Sequence, residues 1–108
     1  MRIDTFIFQA KILLLPTILG GREGGVNSGY RPNLRLNDKY LTCCVLRLDN
    51  VKTKDIILPG DICDVEIELP FSKEIEQNYK MNLEDCFKTG TQIQLYEYPK
   101  MVAVGVVE

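Results

Sequence analysis

With 108 residues, 45% of them hydrophobic and 26% charged, the chain is long enough for one domain with a modest core and too apolar for intrinsic disorder. Thirteen basic residues against fifteen acidic ones leave a net charge of −2, which argues against a dominant electrostatic nucleic-acid binder while leaving room for a local basic patch. There is no histidine, so Ser-His and Cys-His nucleophiles are impossible and any catalysis would fall to carboxylates, lysine or tyrosine.

The start, Met1-Arg2-Ile3-Asp4-Thr5, lacks the charged-then-apolar run of a secretory leader. No stretch approaches the roughly 18 apolar residues of a membrane helix, so a cytoplasmic protein with no membrane contact is expected. The first element is a strand over residues 6–14. Phe6, Phe8, Ala10, Ile12 and Leu14 share one side, Gln9 and Lys11 point away, and Pro16 ends it.

A glycine-rich loop follows, running from Gly20-Gly21-Arg22-Glu23-Gly24-Gly25 to Asn27-Ser28-Gly29-Tyr30-Arg31-Pro32. Each glycine gives up more backbone freedom on folding than any other residue. Such a loop is therefore either a corner that needs unusual backbone angles or a surface approached closely by another molecule. A short strand over Asn33–Leu36 and a longer one over residues 40–48 come next. Pro59-Gly60-Asp61 reads as a turn, with proline presetting φ and glycine supplying the unusual angle.

Residues 61–69 alternate cleanly, placing Cys63, Val65, Ile67 and Leu69 inward and Asp64, Glu66 and Glu68 in water. Residues 71–89 break the alternation. Ser72 to Tyr79 reads as one or two helical turns capped by Ser72, with Ile75 and Tyr79 on one face. This excursion is either a solvated connection docked through those two residues or a binding appendage. Strands over residues 91–98 and 101–107, joined by a tight turn at Pro99-Lys100, complete about six strands. That pattern predicts an all-β barrel or sandwich, one domain spanning residues 1–108 with an extended connection at 71–89.

Cys43, Cys44, Cys63 and Cys86 form no C-x-x-C pair and have no histidine to complete a metal site, so reduced thiols and no metal are expected. Asp61, Asp64, Glu66 and Glu68 lie along the solvent side of a strand, where charge is ordinarily just hydrated. The glycine loop lacks the Gly-Lys-Ser/Thr ending of a phosphate loop. The chain is accordingly expected to be no enzyme, to need no cofactor and to bind no nucleotide by itself.

Taken in order, several blocks resemble the third, C-terminal domain of translation elongation factor Tu. They are Phe8-Gln9-Ala10-Lys11-Ile12, Gly20-Gly21-Arg22, Asn27-Ser28-Gly29-Tyr30-Arg31-Pro32, Leu58-Pro59-Gly60-Asp61 and Val102-Ala103-Val104-Gly105-Val106-Val107. The resemblance covers most of the chain and implies a closed six-stranded antiparallel β-barrel of Greek-key type. It also implies a domain that performs no chemistry and contacts aminoacyl-tRNA, an exchange factor and the GTPase domain. Carried over by position, Gly20, Gly21 and Arg22 fall in the loop bordering bound tRNA. Gly29, Tyr30, Arg31 and Pro32 match a partly structural segment near the interface with the GTPase domain. Ser28 is an insertion relative to the family pattern.

The family's final hairpin reads Arg-Glu-Gly-Gly-Arg where this chain has Tyr96-Glu97-Tyr98-Pro99-Lys100. Glu97 is kept and Lys100 replaces one arginine, while the other arginine and both glycines are gone. Cationic contacts and close backbone approach are lost together. The resemblance thus points to a stand-alone binding module for a protein partner, either translation-related or of a decoy or immunity type. The alternative is a tRNA-binding domain acting in elongation, as part or fragment of a GTPase. The expected binding residues are Gly20, Gly21, Arg22, Asn27, Gly29, Tyr30, Arg31, Pro32, Glu97 and Lys100, with Gly29 and Gly60 chiefly structural.

Overall fold

The computed structural model describes residues 4–16, 21, 24–48 and 56–108. Nine strands and two helices follow one another. They are β1 (Thr5–Leu14), β2 (Val26–Asn27), β3 (Asn33–Leu36), β4 (Lys39–Thr42), β5 (Cys44–Arg47), β6 (Ile56–Ile57), β7 (Ile62–Pro70), α1 (Ser72–Tyr79), α2 (Leu83–Cys86), β8 (Gln92–Glu97) and β9 (Lys100–Val107). Seven strands make one curled antiparallel sheet in the order β4-β3-β8-β9-β1-β7-β5, and β2 and β6 form a separate ribbon.

The period-2 pattern of the sequence explains the sheet. Along β1, Phe8, Ala10, Ile12 and Leu14 are buried while Ile7, Gln9 and Lys11 face out. β1 pairs with β7 from Thr5↔Pro70 to Leu13↔Ile62 and with β9 from Ala10↔Val107 to Leu14↔Ala103. This two-sided pairing makes β1 an interior strand of the sheet. Cys63, Val65, Ile67 and Leu69 of β7 are buried, as their alternation predicts. With Leu34, Val45, Leu95 and Val102 they form the core. Each such side chain contributes roughly 1.5–3 kcal/mol on burial.

The expected all-β, antiparallel architecture is present as a curled, half-barrel sheet of seven strands. The long strand expected over residues 40–48 is two strands, β4 and β5, separated by Cys43 and lying at the two edges of the sheet. The reason is that the run changes partners part-way. Lys39–Thr42 pairs with β3, whereas Cys44–Arg47 pairs with β7. Inward alternation continues through the change, with Leu41, Cys43 and Val45 all buried. An isolated bridge joins Tyr30 to Val45, and the Cys43 N–H donates to the Pro32 carbonyl at 3.1 Å.

The Pro59-Gly60 turn forms as expected. Gly60 has φ of 90° and donates its N–H to the Leu14 carbonyl at 2.7 Å, while the Asp61 carboxylate accepts from the Leu58 N–H at 2.9 Å. At the last hairpin the turn is Tyr98–Pro99, one residue earlier than expected, and Lys100 already belongs to β9.

Residues 71–89 carry the two helices. Ser72 does not cap α1; the cap position is Phe71, in the left-handed region at φ 59°. Asp4 supplies the missing acceptor, taking the Lys73 N–H at 2.7 Å and the Ser72 hydroxyl at 3.2 Å. Ile75 packs on the core, but Tyr79 is exposed, with the Lys39 ammonium 5.0 Å from its ring centre. Docking rests more on Leu83, which is fully buried, and on Phe87, stacked on Phe8 with ring centres 4.8 Å apart. The Asn82 side chain caps α2 by accepting from the Asp85 N–H, and Glu76 accepts from the Leu83 N–H at 2.9 Å, linking the helices.

Candidate functional site

The segment between β2 and β3 is tied to the sheet by its backbone. The Tyr30 N–H donates to the Asn27 carbonyl at 3.1 Å. The Gly29 N–H donates to the Val45 carbonyl, and the Val45 N–H to the Tyr30 carbonyl, each at 2.8 Å. Gly29 holds φ of 93°, a backbone angle that disfavours any residue with a Cβ. The inserted Ser28 accepts the Arg47 N–H on its hydroxyl at 3.0 Å, and the Arg47 guanidinium donates to the Ile56 carbonyl. Pro32 is buried and Arg31 is exposed.

This anchoring presents the Tyr30 side chain to the last hairpin, where its hydroxyl donates to the Glu97 carboxylate. Glu97 stands opposite Lys100 in the β8–β9 register. The structure therefore brings Tyr30, Glu97 and Lys100 together, with Arg31 adjacent in the chain. Gly21 belongs to a different contact. It is buried, donates its N–H to the Pro16 carbonyl at 3.1 Å, and sits so close to Leu15 that any Cβ would overlap the Leu15 carbonyl. At Gly21 the backbone is thus packed as a corner. Gly20 and Arg22 lie outside the described residues.

An aromatic cluster that sequence reasoning missed flanks this group. Tyr40 meets Tyr96 edge-on at 5.1 Å and 82°, and Tyr98 at 4.7 Å and 65°. Tyr40 is 38% exposed and Tyr98 66%. With Tyr30 hydrogen-bonded to Glu97, four of the five tyrosines of the chain gather at this end of β4, β3 and β8. Arg35, also exposed, stands opposite Tyr40 in the β3–β4 register. Part of the signal was present: Tyr96 and Tyr98 are two apart, flanking Glu97, although Tyr98 falls in the turn beyond β8. The partner Tyr40, from another hairpin, becomes visible only through the sheet order.

The site offers aromatic faces, phenol hydroxyls and exposed cations around one engaged carboxylate, a surface suited to docking. Elsewhere, the outward carboxylates of β7 behave as charged exterior. Asp64 pairs with Lys11 at 3.1 Å, and burial, with the hydrogen bond and charge of Glu68, raises the Glu66 carboxyl above its ordinary range. Burial, with Cys44 beside it, pushes the Cys43 thiol up to about 12. Among the described residues, no group of three histidine, cysteine, aspartate or glutamate residues is placed to hold a metal ion, and no helix is long and apolar enough to cross a membrane. No protein-family model matches the chain.

Proposed function

We propose that the chain is a non-catalytic docking module of the kind formed by the third domain of elongation factor Tu, and that it holds a protein partner through the surface around Tyr40, Tyr96 and Tyr98. The observation that carries this reading is the exposed tyrosine cluster. Tyrosine and arginine are the residues most enriched at the centres of protein interfaces, because they bring large, stiff contact area with a polar end. The Tyr30–Glu97 hydrogen bond holds the loop and hairpin on which the site stands.

The same reading takes the curled sheet as a six-stranded barrel. Supporting it, one antiparallel register joins Tyr30↔Val45 to Asn33↔Thr42 and Leu36↔Lys39, since each pair of numbers sums to 75. Residues 30–36 and 39–47 then count as two long strands, and the two sheet edges meet along the second of them. Four of the five blocks of sequence that resemble the elongation-factor domain lie wholly within the described residues, on or beside these strands.

The test is retention of partners from native lysate by the tagged chain, with and without ribonuclease, alongside a Tyr40→Ala, Tyr98→Ala double variant. A protein that survives ribonuclease and is lost from the double variant is the expected result. Retained tRNA that disappears with ribonuclease selects instead the tRNA-binding alternative, with Arg31, Arg35 and Lys100 as phosphate contacts and the tyrosines as stacking faces. Equal retention by both forms of the chain refutes the tyrosine surface as the site.

A further inference from the structure

The β3–β8 ladder is shorter than its strands allow. It runs Asn33↔Tyr96 and Leu34↔Leu95 and stops there, although β3 continues to Leu36 and β8 begins at Gln92. Beyond the last pair, β3 is bonded only to β4 and β8 only to β9. Over the outer face of this stretch lies a cleft of about 300 Å³ lined by Arg35, Asn37, Gln92 and Gln94. That is the lower end of ligand-cavity sizes, roughly 300–1,000 Å³, and suits a peptide tip rather than a large cofactor.

The lining is three side-chain amides and one guanidinium, with no carboxylate among the four. The Arg35 Nε donates to the Asn37 carbonyl at 2.9 Å, fixing the guanidinium at the mouth of the split. Gln94 Oε1 accepts from the Tyr96 hydroxyl at 3.3 Å, which orients its NH₂ as a donor and couples the cleft to the tyrosine cluster. Asn37 is held in the left-handed region at φ 57°, ending β3 at the cleft rather than extending it.

We propose that the split between β3 and β8 binds the extended tip of an acidic peptide, a carboxylate seating on Arg35 and peptide groups hydrogen-bonding to the Asn37, Gln92 and Gln94 amides. This deepens the docking reading and rests on it for the identity of the ligand as part of a protein. Guanidinium and carboxylate match as paired donors and acceptors. Side-chain amides offer the donors and acceptors that a peptide main chain needs, as in strand addition at a sheet edge. A polynucleotide fits less well, because the single cation lining the cleft meets few phosphates.

The experiment is a ¹⁵N-edited NMR titration of the full chain with a synthetic hexapeptide of alternating aspartate and threonine. The counterpart with lysine in place of aspartate and a hexathymidylate serve as competing probes. The expected result is saturable movement of the Arg35, Asn37, Gln92 and Gln94 signals with the acidic peptide alone. Arg35→Ala, an exposed position whose fold the same spectra verify, is expected to weaken binding at least about tenfold, the loss of one charge-assisted hydrogen bond. No movement at millimolar peptide, equal movement with the lysine peptide, equal affinity in Arg35→Ala, or tighter response to hexathymidylate each overturns the proposal. If the peptide fails here while Tyr40→Ala, Tyr98→Ala still loses the lysate partner, the cleft assignment falls and the tyrosine surface stands.

Discussion

Gly105→Ala is expected to be strongly damaging, because it adds a methyl group between two paired strands. Gly105 sits in β9 opposite Ile12 of β1 and Ile93 of β8, on the inward face between two ladders. A Cβ at this position would lie 2.5 Å from the Lys11 carbonyl oxygen and 2.7 Å from Ile12 Cγ2. The first neighbour is backbone of β1 and cannot rotate aside, so β1 and β9 must separate along their shared ladder. Forced insertion of a methylene into a packed interior costs about 1–3 kcal/mol, and the backbone neighbour puts this case at about 3. For a domain of this size, about 4–8 °C of melting temperature accompanies each kcal/mol, so a fall of roughly 10–20 °C is expected. The assay is thermal and urea unfolding followed by far-ultraviolet circular dichroism, with Gly24→Ala as a matched control. Gly24 has open space where the methyl goes, so its variant is expected within about 1 kcal/mol of the parent, on the stabilising side. A Gly105→Ala protein that melts with the Gly24→Ala control refutes the close approach of β1 and β9.

Tyr30→Phe removes the hydroxyl that the Glu97 carboxylate accepts and is expected to cost about 1 kcal/mol in urea unfolding, with retention of the lysate partner reduced. A variant of unchanged stability would mean that the loop does not depend on that bond. For the thiols, a native-state alkylation time course read by mass spectrometry is expected to label half-buried Cys44 and Cys86 before buried Cys43 and Cys63. Early modification of Cys43 would contradict its burial. The raised carboxyl of Glu66 means that the folded chain holds that proton more tightly than the unfolded chain, whose value is near 4.5. Stability therefore falls as pH rises from about 4.5 through the folded value, and Glu66→Gln is expected to flatten that part of the profile. A Glu66→Gln profile that still falls in parallel with the parent would assign the effect elsewhere.

How much was legible from the residues follows their physics. Alternation in residues 6–14 and 61–69 fixes which face is buried, because a one-residue slip would turn every apolar side chain to water. Both faces came out as read. The division at Cys43 was not legible, since the apolar pattern runs through it unbroken and only the change of partner, a long-range property, marks it. The cap of α1 was misread for a similar reason. Ser72 has the right chemistry, but the acceptor that reaches the first turn is Asp4, distant in sequence. Leu83 and Phe87 were overlooked because Ile75 and Tyr79 fit a helical spacing, and nothing local says that a second short helix turns back onto Phe8. Of the candidate site, Tyr30, Glu97 and Lys100 meet as a group, Gly21 packs as a corner, and the tyrosines assemble from β4, β8 and the loop and turn beside them.

The interior place of β1 has a consequence for how the chain is made. Its two neighbours are β7 and β9, so β1 leaves the ribosome well before the strands it pairs with. Ala10 pairs with Val107, and at synthesis rates of about 5–20 residues per second this leaves one side of β1 bare for on the order of ten seconds. During that interval Phe6, Phe8, Ile12 and Leu14 form a nascent, unsheltered apolar ribbon. Holding chaperones would engage the newborn chain there, and a permuted gene that begins at β7 would shorten their stay.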